Sequence, residues 1–143
     1  MNTVAQILGE RTGAIIKVGP AESVLHALDV MAQHGVGAVL VMEYGRLLGI
    51  LSERDYARKV ALKGKISETT RVRDIMSTRV ICATPQMTLD QAMALMGDNN
   101  IRHLPVIDDA KEVVGVISIR DLVKEIIVGQ RFVIEQLERY IAA

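Results

Sequence analysis

The chain has 143 residues, half of them apolar, and its 17 Lys and Arg are balanced by 17 Asp and Glu. This length can bury one core of ordinary domain size. The lack of a basic excess argues against a dedicated nucleic-acid binder, and a chain with one Phe, three Tyr and no Trp lacks stacking platforms for single strands.

The first elements along the chain are short. Val4, Ile7 and Leu8 recur at helical spacing, which predicts a leading helix that ends at Gly13. An apolar run at residues 14–18 follows this helix and predicts a strand. Both elements precede a longer segment in which the periodicity is stronger.

That segment has the order helix, strand, turn, strand, helix. Residues 23–34 place apolar side chains at i, i+3, i+4 and i+7, which predicts an amphipathic helix. The runs 36–42 and 47–51 are apolar and rich in β-formers, as strands buried on both faces are. Ser52 is a good helix N-cap, and it opens a helix that Gly64 ends.

The same order returns after a polar connector. Thr88 and Gln91 have the capping-box spacing, which predicts the start of the second amphipathic helix. The other elements predicted in this half are a helical turn at 72–76, strands at 80–83, 101–107 and 113–117, and a helix that opens at Ser118.

The two halves match residue by residue at a nearly constant offset. Pro20 and Pro85 are 65 positions apart, and the phrase Gly49-Ile-Leu-Ser-Glu-Arg-Asp55 returns 66 positions later as Gly115-Val-Ile-Ser-Ile-Arg-Asp121. Such agreement indicates an internal duplication. The predicted fold class is therefore α/β, with two βαββα repeats that are related by a pseudo-two-fold axis and pack sheet to sheet in one compact domain.

The repeated phrase places a serine, an arginine and an aspartate at a strand-to-helix junction in each copy. Free amides at a helix start, together with an arginine, bind phosphate groups, and a carboxylate accepts hydroxyl donors. One such phrase alone is most simply a helix cap with solvated charges, but two copies favour a pair of sites for a sugar and a phosphate.

The repeat resembles the cystathionine-β-synthase (CBS) domain, and the tandem pair is similar to a Bateman module. The resemblance is carried by Pro20 and Pro85, by Arg102-His-Leu-Pro-Val106 and by the paired Gly-x-x-Ser-x-x-Asp phrases, and it covers roughly residues 13–128. It implies a regulatory module with the CBS-pair fold. Such modules commonly form flat dimers and bind adenosine-containing ligands in clefts between the two repeats. The chain then divides into a leading helix (1–13), a first repeat (14–63), a connector (64–79), a second repeat (80–128) and a C-terminal helix (129–143).

The resemblance also implies which residues bind the ligand. Asp55 and Asp121 would hold ribose, because an ionised carboxylate can accept hydrogen bonds from both ribose hydroxyls. The hydroxyls of Ser52 and Ser118 would lie near ribose or phosphate. The adenine-contacting strands would contribute Ile16, Lys17 and Val18 in the first copy and Ile81, Cys82, Ala83 and Thr84 in the second. The phosphate-binding candidates are Arg54, Arg102, His103 and Arg120, and Pro105 completes the set.

The two implied sites are unequal. The second copy has Arg102-His103 where the first has Gly37-Ala38. Phosphate capture is therefore expected to differ between the clefts, and occupancy of one or of both is left open. Residues 54–79 carry eight Lys and Arg against three acids, which raises the local concentration of anions. AMP, ADP, ATP and NAD all remain as regulatory ligands.

The last stretch has no counterpart in the first copy. Gly129 is expected to break the helix, and residues 132–141 then place Val133, Leu137, Tyr140 and Ile141 on one face. This helix either covers the domain or forms a dimer contact.

Other chemistry has little support in the sequence. Cys82 is the only cysteine and cannot form an internal disulfide, the three histidines are dispersed, and no nucleophile or metal set can be assembled. Residues 1–20 lack the apolar stretch of a signal peptide. We expect a cytoplasmic regulatory homodimer without catalytic activity, a nucleic-acid partner or a membrane partner, and with a downstream protein target that the sequence does not name. The alternative is a protein-interaction module with no physiological nucleotide.

Overall fold

Two small β-sheets, one from each copy of the duplication, organise the fold. The structure is a computed structural model that describes residues 2–9 and 15–142. The strands are β1 (Lys17–Val18), β2 (Ala38–Glu43), β3 (Arg46–Ser52), β4 (His103–Ile107) and β5 (Val113–Ser118). The helices are α1 (Val4–Leu8), α2 (Val24–His34), α3 (Glu53–Tyr56, continued by a π-helical turn at Ala57–Ala61), α4 (Val72–Ile75), α5 (Leu89–Asn99) and α6 (Ile119–Ala142).

The hairpins of the two sheets have the same construction. In the first sheet β1 pairs in parallel with β2, and β2 pairs antiparallel with β3. In the second sheet β4 pairs antiparallel with β5. The register shifts directly after Val41 in the first hairpin and directly after Val106 in the second, which are equivalent positions. The α/β fold with two related halves is confirmed.

The strand predicted at residues 80–83 is wrong. Only Ala83 pairs there, since its amide donates to the Pro105 carbonyl (2.8 Å) and its carbonyl accepts from the Ile107 amide (2.9 Å). In the first copy the equivalent ladder continues, because the Leu40 amide donates to the Ile16 carbonyl (3.4 Å). Pro105 stands at the position of Leu40 and has no amide hydrogen, so the second ladder stops after one bridge.

The predicted helix starts are confirmed by their caps. Ser23 accepts a hydrogen bond from the His26 amide (3.1 Å), and Thr88 forms the expected capping box with Gln91. Gly35 ends α2 with a left-handed backbone (φ 63°), which glycine adopts without strain. The leading helix is shorter than predicted and ends at Leu8; Gly13, its predicted end, lies outside the described residues.

Each copy buries its own hydrophobic cluster, and each cluster takes in a helix from outside the βαββα unit. Val72 and Ile75 of α4 pack into the first copy, whereas Val4 of α1 packs into the second. Backbone hydrogen bonds join the same partners: the Val72 amide donates to the Glu22 carbonyl of the first copy (2.9 Å), and the Val4 amide donates to the Met87 carbonyl of the second (2.8 Å). The duplication therefore extends to α1 and α4, and these helices tie the halves together.

Helix α6 runs without interruption from Ile119 to Ala142, so the break predicted at Gly129 is wrong. A helix interior tolerates glycine at a cost of about 1 kcal/mol relative to alanine. Every residue from 127 to 142 is exposed, and the interpretation of this segment as a cover over the domain is therefore also wrong. Across the described part of the chain, no helix combines the length and apolar content needed to cross a membrane.

Candidate functional site: a cleft between the two copies

A cleft of about 950 Å³ lies between the two sheets, within the size range of small-molecule sites. The first copy contributes the segment 35–40 and Ile50 to its walls, and the second contributes the segment 114–116. These walls are largely apolar side chains and strand backbone. They provide surfaces on which a flat ring can pack.

Polar groups gather at the end of the cleft formed by the second copy. His103 is paired with Ser118 across β4 and β5, so that the start of one strand meets the end of the other. The Ile119 amide also donates to the Arg102 carbonyl (2.9 Å), which fixes the start of α6 against this strand. The antiparallel register therefore brings Arg102 and His103 beside Ser118, Arg120 and Asp121, and all five line the cleft.

Ser118 and Asp121 hold each other in place at the start of α6. The Ser118 amide donates to Asp121 Oδ2 (2.7 Å), and the Asp121 amide donates to Ser118 Oγ (3.2 Å). This reciprocal pair is a capping box, so part of the repeated Ser-x-x-Asp phrase has a structural reason. The same bonds fix the Asp121 carboxylate, half-buried, in the cleft wall.

The equivalent aspartate of the first copy has a different environment. Asp55 Oδ2 accepts from the Ser52 amide and hydroxyl (3.0 Å each), while Asp55 Oδ1 lies 3.3 Å from Lys59 Nζ. Glu125 occupies the position equivalent to Lys59, so this lysine pair is a feature of the first copy. Neither Ser52 nor Asp55 lines the cleft.

The imidazole of His103 is the perturbed base of the cleft. Burial lowers the pKa of His103, the carboxylate of Asp121 opposes that effect, and the guanidinium of Arg102 adds to it. Neutral imidazole is thus favoured in the empty cleft. An anion bound beside His103 would favour the protonated form instead.

The cleft brings together part of the predicted site. Ile16 lines it from the first copy, next to Ile15, and Arg102, His103, Ser118, Arg120 and Asp121 line it from the second. The remaining predicted residues line no part of this cleft: Lys17, Val18, Ser52, Arg54, Asp55, Ile81, Cys82, Ala83, Thr84 and Pro105.

Burial explains several of those positions. Val18 and Ala83 lie in the two hydrophobic clusters, so that neither side chain faces solvent. Lys17, Arg54 and Thr84 are exposed, and Pro105 is buried. Ile81 and Cys82 are half-buried, and burial raises the pKa of the Cys82 thiol. The binding roles proposed for these residues stay predictions.

Sequence reasoning missed the apolar walls of the cleft and the part played by α1. A Cβ built on Gly115 would lie 2.8 Å from a methyl carbon of Leu8, and Leu8 itself lines the cleft. On the equivalent Gly49, a Cβ would lie 2.7 Å from the backbone carbonyl oxygen of Ser77 and 3.0 Å from the sulfur of Met76, both directly after α4. The paired glycines were the available sequence signal, because each allows another part of the chain to approach closely: the Leu8 side chain of α1 at Gly115, and the segment after α4 at Gly49.

The fold and this cleft define a class of protein: an α/β module, built by duplication, with a cleft between its halves. The family model for the CBS domain matches residues 6–62 and again residues 72–128. The chain belongs to the CBS-domain family and is a tandem CBS pair.

Known proteins agree with this assignment over most of the chain. The chain is 42% identical over 125 residues to the CBS domain-containing protein CBSX3, mitochondrial, of Arabidopsis thaliana; the match covers 84% of this chain and 60% of that protein. A solved CBS-domain structure from Burkholderia ambifaria MC40-6 is 43% identical, with a TM-score of 0.86 over 90% of this chain and 96% of the other. The CBS pair of protein MJ0100, solved with 5′-methylthioadenosine and S-adenosyl-L-methionine, is 25% identical, with a TM-score of 0.76 over 90% and 98%.

Proposed function

We propose that this CBS pair is a non-catalytic regulatory module that binds an adenosine nucleotide in the cleft between its copies. The observation that carries the proposal is the gathering of Arg102, His103, Arg120 and Asp121 at one end of an apolar cleft. The cationic groups suit the phosphate of a nucleotide, the carboxylate suits the ribose hydroxyls, and the apolar walls suit the base. The solved relative with bound 5′-methylthioadenosine and S-adenosyl-L-methionine supports the adenosine part of the ligand.

In this proposal the carboxylate and the walls hold the nucleoside. Asp121 accepts hydrogen bonds from the two ribose hydroxyls, and its capping contacts with Ser118 keep it oriented before the ligand arrives. Ile15 and Ile16 of the first copy and Val116 of the second line the cleft and pack against the base. The nucleoside then touches both copies at once.

The phosphate lies by the second copy. Arg102 and Arg120 are exposed side chains that line the cleft, and arginine binds phosphate through charge-assisted, bidentate hydrogen bonds. None of the Lys and Arg in residues 54–79 lines the cleft, so they provide steering and no direct contact with a ligand there. This favours AMP over ADP, ATP and NAD, whose longer phosphate chains would gain most from that basic stretch.

The Asp55 set is proposed as a second and weaker site. Asp55 already neutralises Lys59, and Gly37-Ala38 replaces the arginine and histidine of the other copy. A nucleotide there would lack the cations that the main cleft supplies. Binding at either site changes what the downstream protein partner recognises by shifting the equilibrium between two arrangements of the copies. The size of this shift is limited by the difference in the ligand's affinity for the two arrangements.

Titration calorimetry of the full chain with AMP and with adenosine tests the proposal. We expect AMP to bind about tenfold more tightly than adenosine, because only AMP meets the arginines. Arg102→Ala should reduce that advantage, and Arg102→Ala with Arg120→Ala should remove it, while adenosine binding stays unchanged in both variants. Asp121→Asn should weaken both ligands about tenfold; its amide oxygen still accepts from the Ser118 amide, so the helix cap survives.

Arg46→Ala is the matched control, because Arg46 is exposed in the first hairpin and lines no part of the cleft. Asp55→Asn distinguishes one site from two through the stoichiometry. ADP, ATP, NAD and S-adenosyl-L-methionine complete the series. If none of these ligands binds below millimolar concentration and Asp121→Asn changes nothing, the nucleotide proposal fails and the interaction module without a nucleotide takes its place.

A further inference from the structure

The second half of α6 exposes a set of large apolar side chains that the rest of the chain does not cover. All residues from 127 to 142 are exposed. The large apolar side chains among them are Ile127, Val128, Phe132, Val133, Ile134, Leu137, Tyr140 and Ile141, each at least 42% exposed. Monomeric proteins rarely expose an apolar patch of this length, and such patches mark interaction surfaces.

This segment has little reason to be helical on its own. Its 16 residues extend for about 24 Å, and an isolated helix of that length is marginal in water. Gly129 and the β-branched residues Val128, Val133, Ile134 and Ile141 lower its intrinsic helix propensity further. A helix of this kind is stabilised when its apolar stripe is packed against another surface.

The spacing of the stripe fits a second helix. Positions 123, 127, 130, 134, 137 and 141 alternate in steps of four and three, which is the heptad pattern of a coiled-coil seam. Five of the six residues are Val, Ile or Leu; the exception is Gln130, near one end of the pairing described below. A groove on a globular partner would not require a heptad repeat, so the repeat favours a second helix as the partner.

The flanks of the stripe indicate which helix fits. Arg131 and Glu138 lie on one flank, one heptad apart, and Val133 and Tyr140 lie on the other. When two copies of α6 run antiparallel with Ile134 against the partner's Leu137, Arg131 faces the partner's Glu138 twice. On the opposite flank, Val133 faces the partner's Tyr140 twice. Both flanks are then complementary.

Other pairings of the same two helices are poorer. Moving the antiparallel register by one heptad places Ile134 against the partner's Gln130, and Arg131 against the partner's Arg131. A parallel pair places the apolar flank of one helix against the charged flank of the other. Of these pairings, only the first forms the Arg131–Glu138 pair twice, keeps like charges apart and places apolar flank against apolar flank; its seam runs from Gln130 to Ile141, with Gln130 at each end.

We propose that the exposed half of α6 binds α6 of a second copy of this chain as an antiparallel two-helix coiled coil. The contact lies outside the ligand cleft, since no residue after Asp121 lines that cleft. The assembly therefore does not depend on the nucleotide proposal. It joins two CBS pairs through their C-terminal helices.

Charge reversal tests both the contact and its direction. The dimer dissociation constant is measured by sedimentation equilibrium for the full chain, without nucleotide. Arg131→Glu and Glu138→Arg should each weaken the dimer about tenfold, because each turns both ion pairs into repulsions. The double variant should recover the wild-type constant. Glu135→Arg, which changes the outer side of the helix, is the control and should leave dimerisation unchanged.

A core variant separates this contact from pairing through the CBS repeats. Ile134→Asp with Leu137→Asp alters only exposed side chains, so the fold of the CBS pair should survive, as circular dichroism and thermal unfolding would check. We expect this variant to be monomeric, or weaker as a dimer by at least about a hundredfold. A wild-type chain that is monomeric at 100 micromolar, a core variant with an unchanged constant, or a double charge variant that does not recover would each overturn the proposal.

Discussion

Single residues decide where the two copies differ. Pro105 replaces Leu40, and the missing amide hydrogen removes a strand from the second sheet. Glu125 replaces Lys59, so the position of the lysine that pairs with Asp55 carries an acid in the second copy. Arg102-His103 replaces Gly37-Ala38 and gives the cleft its cationic end. The backbone scaffold is shared, and among these differences Arg102-His103 is the one that adds anion-binding groups to the second copy.

His103 makes stability depend on pH. Its pKa is lowered in the folded state, mainly by burial, so the unfolded chain binds a proton more readily than the folded chain does. Stability from this residue is therefore fully present above the ordinary imidazole pKa of 6.5 and falls as the pH is lowered below it. Urea unfolding of the ligand-free chain between pH 8 and pH 5 should show this loss, and His103→Gln should reduce it.

Asp121→Asn provides the matching variant for that measurement. The Asp121 carboxylate raises the pKa of His103 against the effect of burial, so its removal should make the loss of stability at low pH larger. A loss of stability at low pH that is identical in the wild type, His103→Gln and Asp121→Asn would show that His103 does not titrate as the structure implies.

At the scale of elements, periodicity and caps predicted most of the fold. The i, i+3, i+4, i+7 faces and the capping residues located α2 and α5, and the apolar runs located both hairpins. Three features escaped, and two of them depend on partners distant in the sequence. The short ladder at Ala83 depends on Pro105, the packing of α1 depends on the second copy, and the continuity of α6 through Gly129 cannot be inferred from a local glycine rule.

For the site, the repeated Ser-x-x-Asp phrase and Arg102-His103 were readable from the sequence, and the second-copy phrase does line the cleft. The phrase cannot reveal which copy faces the cleft, because both copies carry the same capping chemistry. The surroundings of the two phrases differ in the lysine that pairs with Asp55 and in Leu8 of α1, which lines the cleft beside the second copy. The Asp55–Lys59 pair is an i, i+4 contact that helical spacing could have predicted, whereas the position of Leu8 is a tertiary feature that no spacing rule contains.

Gly129 lowers the helix propensity of α6, and a substitution at this position should stabilise the helix. No heavy atom outside the helix lies within 4 Å of a Cβ built at this position, and its backbone φ is not positive. Gly129→Ala should therefore stabilise α6 by up to about 1 kcal/mol, seen as greater helicity by circular dichroism and slower amide exchange in residues 127–142. Gly97→Ala in α5, which also has an open Cβ position, is the control that should leave exchange in α6 unchanged.

At the scale of the whole molecule, the exchange of α1 and α4 couples two separate cores. Val4 is fully buried in the cluster of the second copy, and Val72 is fully buried in the cluster of the first. Each copy is therefore completed by a helix that precedes the other copy in the sequence. A ligand that binds across the cleft acts on two cores that are already linked by these helices.

The exchange predicts crossed effects of two equivalent mutations. Val4→Ala and Val72→Ala each delete buried methyl groups and should cost about 2 kcal/mol of unfolding free energy. Because the cores are distinct, hydrogen exchange should localise the damage. Val4→Ala should speed exchange in α5, β4 and β5, which follow it by some 80 to 120 residues, whereas Val72→Ala should act on α2, β2 and β3. If Val4→Ala instead loosened the first copy and Val72→Ala the second, or if both loosened all strands equally, the two copies would not be stabilised by reciprocal exchange of helices.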